Sequence, residues 1–233
     1  MTVEEKAKKV DLLWDAYKDC ARCPDMCNPV GRDRGTVVLC DGNEDAKLMI
    51  IGESPDSRAD KEGLPFVGKS GELLDKFLAS FNSSREEVFI TNIVCCRPTN
   101  PDEPAKNRQP TKAEIKNCAE RLHGLVELVD PLVILLLGSV PMKTLTGNKK
   151  SVSSVARDRS LPVLTATVSG QCLAVRRPAL ATFHPSYLSM LDNQGYGSDT
   201  HLAYNTWEKA FRMMDMYNKL YYGTPLPQRT DND

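Results

Sequence analysis

Lys47 to Leu78 reads KLMIIGESPDSRADKEGLPFVGKSGELLDKFL: a short apolar run, a long polar loop and an amphipathic segment in one unbroken stretch. Leu48 to Ile51 has strand length and no polar residue, which is the pattern of a strand buried on both faces. The loop after it carries Glu53, Pro55, Asp56, Asp60, Pro65 and Phe66 before Gly68 and Gly71 open a helix. In an open parallel sheet a ligand binds just beyond the carboxyl ends of the strands, where this loop falls.

Three further apolar runs follow, Val88 to Val94, Leu132 to Leu137 and Ala179 to Phe183. Helical patterns occupy Lys69 to Phe81, Thr111 to Val129 and Val140 to Leu145 between them. Alternation of strand and helix predicts an α/β fold: a three-layer αβα arrangement around a central, mainly parallel four-stranded sheet. A last helix over Leu202 to Tyr221 turns Leu202, Trp207, Ala210, Phe211 and Met214 towards the core. At the other end residues 3–18 read as a helix with Val3, Val10, Leu13, Trp14 and Tyr17 on its apolar face. From Cys20 to Gly42 the chain is rich in Pro, Gly, Asp and Arg, with a short strand expected at Thr36 to Leu39. Residues 1–223 are therefore expected to form one domain, with the helix and cysteine lobe of 1–42 packed on it and a frayed tail over 224–233.

With 233 residues, 41% of them hydrophobic, the chain is long enough for a sizeable core. Its 30 Lys and Arg against 31 Asp and Glu give no global basic field, so any nucleic-acid contact must be local. No apolar run approaches the ~20 residues of a membrane span, and the N-terminus is amphipathic and charged rather than a secretory signal. The expectation is a cytoplasmic, monomeric protein that does not touch membranes.

Eight cysteines are more than packing requires. In a reducing compartment their uneven spacing points to metal before disulfides. Cys20 and Cys23 form a C-x2-C pair, and two further ligands have two sources. Cys27 and Cys40 would make a local zinc knuckle. Cys96 and Cys118 would instead pin the lobe to the second strand and the next helix, as a four-cysteine iron-sulfur cluster does. Spacing leaves both open.

GESP at Gly52, GLPFVGKSGELLDKFL at Gly63, FITNIVCCRP at Phe89, NRQP at Asn107, EIKNC at Glu114, PLVILLLG at Pro131 and FHPSYL at Phe183 follow one another in order. Together they resemble the motifs of the family 4 uracil-DNA glycosylases, the iron-sulfur branch of that superfamily, from about Cys20 to Phe211. The resemblance implies excision of uracil from DNA, leaving an abasic site for repair. It also implies a 4Fe-4S cluster on Cys20, Cys23, Cys96 and Cys118, with Cys27, Cys40 and Cys172 as non-ligands and Cys95 where the family commonly has Lys. Thr99 to Lys106 is an insertion relative to the family, expected to bulge outward and leave the cluster intact.

By the same resemblance Phe66 is the wall on which the flipped base stacks, Asn92 reads its edge, and Ser54 and the backbone around Glu53 complete the pocket. His184 stands where a donor meets the charge developing on a uracil carbonyl. Lys69, Ser70, Ser186 and Tyr187 are expected DNA contacts, with Arg97, Arg108, Lys149, Lys150 and Arg157 as further phosphate partners. Tyr187 to Tyr196 would be a wedge loop that fills the hole left by the base. Two positions depart from the family's first motif. Asp56 stands at a Gly position and Ala59 where an acid helps place the attacking water, so Asp56 or Asp60 would take over that task, while Glu53 aligns with the family's first-motif Glu and is a further catalytic candidate. With those departures the resemblance also accommodates a catalytically weak, DNA-binding replication accessory, or a glycosylase for another modified base.

Overall fold

Leu48–Gly52 is a strand with every residue buried, and it lies at the middle of the sheet. The computed structural model describes residues 1–23, 26, 36–100, 102–158, 160, 163–170, 174–192 and 197–223. Within them the main sheet has six strands, in chain order β1 (Asp41–Gly42), β2 (Leu48–Gly52), β3 (Phe89–Asn92), β6 (Val133–Leu137), β7 (Leu164–Ser169) and β8 (Ala174–Thr182). They lie side by side as β1-β3-β2-β6-β8-β7. A separate hairpin joins β4 (Thr99–Asn100) to β5 (Glu103–Asn107).

The four apolar runs of the sequence are the four parallel strands β3, β2, β6 and β8. The expected count of four is corrected by antiparallel edges, β1 on β3 and β7 on β8. Neither edge announces itself in sequence: β1 has two residues, and in β7 only Ala166 and Val168 are buried, as suits a half-exposed border. Thr36 to Leu39 is not a strand. Val37, Val38 and Leu39 are buried as irregular chain, with the Val38 N–H donating to the Cys95 carbonyl at 2.7 Å.

The helices are α1 (Val3–Tyr17), α2 (Ser57–Glu62), α3 (Lys69–Ser80), α4 (Lys112–Val129), α5 (Ser139–Thr146), α6 (Val152–Ala156), α7 (Pro185–Asp192) and α8 (Gly197–Tyr222). Capping boxes at Thr2 with Glu5 and Thr111 with Glu114 start α1 and α4 where the sequence places them. On α1 the buried residues are Lys6, Val10 and Tyr17, whereas Val3 and Trp14 are exposed. Lys6 reaches inward to donate to Asp45 and to the Val129 carbonyl at the end of α4. Trp207 of α8 is core, stacked on Phe77 of α3 with ring centroids 5.4 Å apart.

Parallel pairing sets the strand ends level, with Gly52 opposite Asn92 and Leu137 opposite Thr182. The loops leaving β2, β3 and β8 consequently rise from one edge of the sheet. No helix among the described residues is long and apolar enough to cross a membrane.

Candidate active site

Those loops enclose a cleft of about 470 Å³. Glu53, Ser54, Pro55 and Asp56 line it from the end of β2, Phe66 and Ser70 from the approach to and start of α3, and Asn92 from β3. His184 and Ser186 line it from the end of β8, and Asn107, Arg108 and Gln109 from the foot of the hairpin.

Phe66 adopts a left-handed backbone, φ 55°, which a bulky residue holds only when its surroundings enforce it. Arg85 supplies much of that enforcement. Its guanidinium donates to the carbonyls of Pro65, at 3.1 Å, and Phe66, and is itself anchored on Asp41 at 2.9 Å and Asp75 at 2.7 Å. Gly71 lies so close beneath the Phe66 carbonyl that a Cβ there would overlap it. Gly52 is equally constrained: a Cβ would fall 2.5 Å from Phe66 Cζ and closer still to Asn92 Oδ1.

Asn92 is 2% exposed, and its side-chain Oδ1 is a buried acceptor without a partner among the described residues. Such an oxygen is costly to leave unmet and marks a place where a donor belongs.

His184 stands half-buried at the opposite wall. The Ser186 backbone N–H donates to its Nδ1 at 3.2 Å, and the Ser186 hydroxyl lies 2.8 Å from the same nitrogen. A backbone N–H can only donate, so Nδ1 keeps its lone pair and the neutral ring carries its proton on Nε2. Burial lowers the imidazole pKa to about 4, with the charge of Asp56 opposing the shift, so the ring is neutral near pH 7.

Two carboxylates face the cleft. Burial raises Glu53 above the usual carboxylate range. Asp56 is the N-cap of α2: its Oδ1 accepts from the N–H groups of Arg58 and Ala59, both at 2.9 Å, while Oδ2 lies over Gly68. Asp60 is not brought into the cleft. It is buried on α2, where its Oδ1 accepts from the Thr36 N–H at 3.1 Å, which ties the end of the cysteine lobe to this helix. Ala59 is buried beside it and also does not line the cleft.

Of the expected DNA contacts, Ser70 and Ser186 line the cleft and Lys69 and Tyr187 do not. Tyr187 stacks on Phe183 and donates its hydroxyl to Asp199 at 3.1 Å, and Asp199 also pairs with Arg157. Residues 187–192 belong to α7 rather than to a loop, and 193–196 lie outside the described residues. Arg97 and Arg108 brace the hairpin: Arg97 donates to Asn107 Oδ1 at 2.6 Å and to the Ala105 carbonyl, and Arg108 holds Glu114 through two bonds of 2.6 and 2.8 Å. Thr99 to Lys106, expected to bulge outward, lies in a braced hairpin whose foot borders the cleft.

Cys23, Cys95, Cys96 and Cys118 are buried together between the lobe, the end of β3 and α4, with Cys20 half-buried. Cys95 Sγ lies 3.8 Å from Cys118 Sγ, and Asn117, next to Cys118, donates to Cys23 Sγ at 3.4 Å. As the side chains stand, no three His, Cys, Asp or Glu among the described residues converge on one point. The donor chemistry nevertheless suits a thiolate-bound group. Thiols from three separate segments share one buried region with Arg121, a fully buried cation whose Nε has no partner among the described residues. Cys27, Cys172 and residues 224–233 lie outside the described residues.

Sequence assigns no role to Arg85 or Arg121, and Asn107 and Gln109 enter it only as part of the NRQP motif. For Arg121 a signal exists, since it interrupts the apolar stripe of α4 between Cys118 and Leu122 and Leu125. For Arg85 no local signal does.

Comparison with known proteins comes to the same region. The model of the uracil DNA glycosylase superfamily matches residues 40–209. A type-4 uracil-DNA glycosylase of Thermotoga maritima is 34% identical over 179 residues, which cover 77% of this chain and 82% of that protein. The type-4 enzyme of Saccharolobus solfataricus is 38% identical over 130 residues, 55% of each chain. That of Archaeoglobus fulgidus is 43% identical over 97 residues, 42% of this chain and 46% of the relative.

Proposed function

The chain belongs to the uracil-DNA glycosylase superfamily, and from that premise we propose that it hydrolyses the N-glycosidic bond of uracil in DNA, leaving an abasic site for base-excision repair. The observation that carries the reading is the unmet Asn92 Oδ1, buried in a cleft that the Phe66 and His184 side chains also line.

The base must first leave the stack, at a cost of a few kcal/mol that the pocket recovers. Phe66, whose backbone Arg85 holds, offers the flipped ring a face. Asn92 Oδ1 accepts from uracil N3–H and its amide nitrogen donates to a ring carbonyl. Thymine and cytosine are then disfavoured by different means, thymine by its methyl group against the wall and cytosine by lacking N3–H. As the C1′–N1 bond breaks, its electron pair moves onto uracil and positive charge grows on the sugar. Neutral His184 donates its Nε2–H to the carbonyl oxygen that gains charge, an oxyanion-type role needing no proton transfer. Glu53 or Asp56 orients the water whose oxygen bonds to C1′ and takes up the proton that water gives up. Ser54, Ser70 and Ser186 serve the base and the flanking phosphates, with Lys69 at the start of α3 adding charge.

Cys20, Cys23, Cys96 and Cys118 are read as the ligands of a 4Fe-4S cluster, whose contribution when bound is to fasten the lobe to β3 and α4. No step of the bond cleavage runs through it. The reading carries with it a monomer of one domain over 1–223 acting in the cytoplasm.

Incubation with a uracil-containing oligonucleotide, then alkali, tests the activity. Strand scission lost in Asn92→Ala is expected; an intact strand at high enzyme overturns it. Iron and acid-labile sulfide on anaerobically purified protein test the cluster, and stoichiometric zinc overturns it.

A further inference from the structure

Arg121 is 0% exposed, yet among the described residues its guanidinium donates to neutral oxygens. Nη1 donates to Thr91 Oγ1 at 2.8 Å and to the Leu39 carbonyl at 3.4 Å. Nη2 donates to the carbonyls of Asn92 at 2.6 Å and Ile93 at 3.0 Å, while Nε has no partner among the described residues. Burying a cation against neutral acceptors alone is strongly unfavourable, so a negative charge belongs near it. Thiols near it can carry one. Cys118 lies one turn back on α4, Cys95 is 3.8 Å from Cys118, and Cys40 follows the Leu39 carbonyl that Arg121 holds. Burial pushes Cys40 up to about 12, so that thiol is neutral near pH 7 and does not supply the charge.

At its other end the guanidinium grips the backbone of the residue whose side chain lines the cleft. Its planar fork places two carbonyls in fixed relation, which the single ammonium of a lysine cannot reproduce.

We propose that Arg121 is a positioning residue that couples the buried thiol site to base recognition: its charge balances the cysteine thiolates and their bound iron-sulfur group, and its hydrogen bonds fix the Asn92–Ile93 backbone. The second half rests on the base-reading role given to Asn92 above. Loss of iron then leaves the cation unbalanced and loosens Asn92, so uracil discrimination falls before general DNA affinity does.

Wild type, Arg121→Lys and Arg121→Met are purified anaerobically. Three quantities are measured: iron per chain, the midpoint reduction potential, and the ratio of affinities for a non-cleavable uracil duplex and its thymine counterpart. A neighbouring cation favours the more negative reduced cluster, so Arg121→Met is expected to lower the potential or the iron content, and Arg121→Lys to keep both. Both variants are expected to lower the uracil-to-thymine ratio by about tenfold, the worth of a lost hydrogen bond to a fixed carbonyl. Unchanged iron, potential and ratio in Arg121→Met overturn the proposal. Should that variant not fold, an unchanged ratio in folded Arg121→Lys overturns the Asn92 half, and wild type lacking iron overturns the charge half. Wild type that holds iron but ignores uracil would sink the glycosylase reading instead, while iron content and potential would still judge Arg121.

Discussion

Phe66 and His184 stack across the cleft with ring centroids 5.7 Å apart and planes inclined by 27°. They approach it from opposite sides of the sheet's centre, one from the loop after β2 and the other from the end of β8. Their spacing is fixed by backbone rather than by the rings themselves.

Gly52 is the narrowest part of that arrangement. Gly52→Ala puts a methyl group into Phe66 Cζ and Asn92 Oδ1, with no conformational conflict, because the residue ends an extended strand. Single-turnover excision is expected to fall about 10²-fold, the scale of an ångström of misplacement. Circular dichroism should remain that of the wild type.

His184 predicts a pH signature. Its folded pKa is about 4, against ~6.5 unfolded, so between those values the unfolded chain binds the extra proton. The neutral ring's contribution to stability is complete above ~6.5 and is lost as pH falls towards 4. Protonation would also put a proton on Nδ1 facing the Ser186 N–H and break that contact. The melting temperature of wild type should therefore rise from pH 4 to 6.5 more steeply than that of His184→Gln, and excision should hold its plateau to well below pH 6.

Asn92→Ala separates function from stability. It removes an orphaned buried acceptor, whose desolvation costs about 1–3 kcal/mol, along with a few packing contacts. Excision should drop by at least ~10²-fold while the denaturation midpoint changes little or rises. A large loss of stability in urea would show that the amide has a structural partner in the free protein.

Arg85→Met keeps side-chain length and loses the grip on the Pro65 and Phe66 carbonyls. Phe66 can then relax out of its left-handed conformation, a state worth roughly 1–3 kcal/mol. Uracil excision should fall at least ~10-fold, and affinity for undamaged duplex should stay the same, as read by fluorescence anisotropy.

Much of this was legible in the chain itself. The four parallel strands stand out because strands buried on both faces need unbroken apolar runs, and VILLL over Val133–Leu137 is one. Helix α4 is bounded by a capping box that the sequence spells out at Thr111 and Glu114. Phe66, Asn92 and His184 could be named from motifs, and they do meet in one cleft. Asp60 could not be judged in the same way. A carboxylate in a polar loop looks available for chemistry, but here it is turned to the Thr36 N–H, 24 residues away.

Sequence alone thus determined the four parallel strands and the long helices and pointed to the loop after β2, because periodicity and capping act between neighbours in the chain. Tertiary structure alone decided what holds the site in shape. Arg85 acts on Phe66 across 19 residues and Arg121 on Asn92 across 29, and a guanidinium's choice among buried oxygens depends on which of them folding brings within about 3 Å.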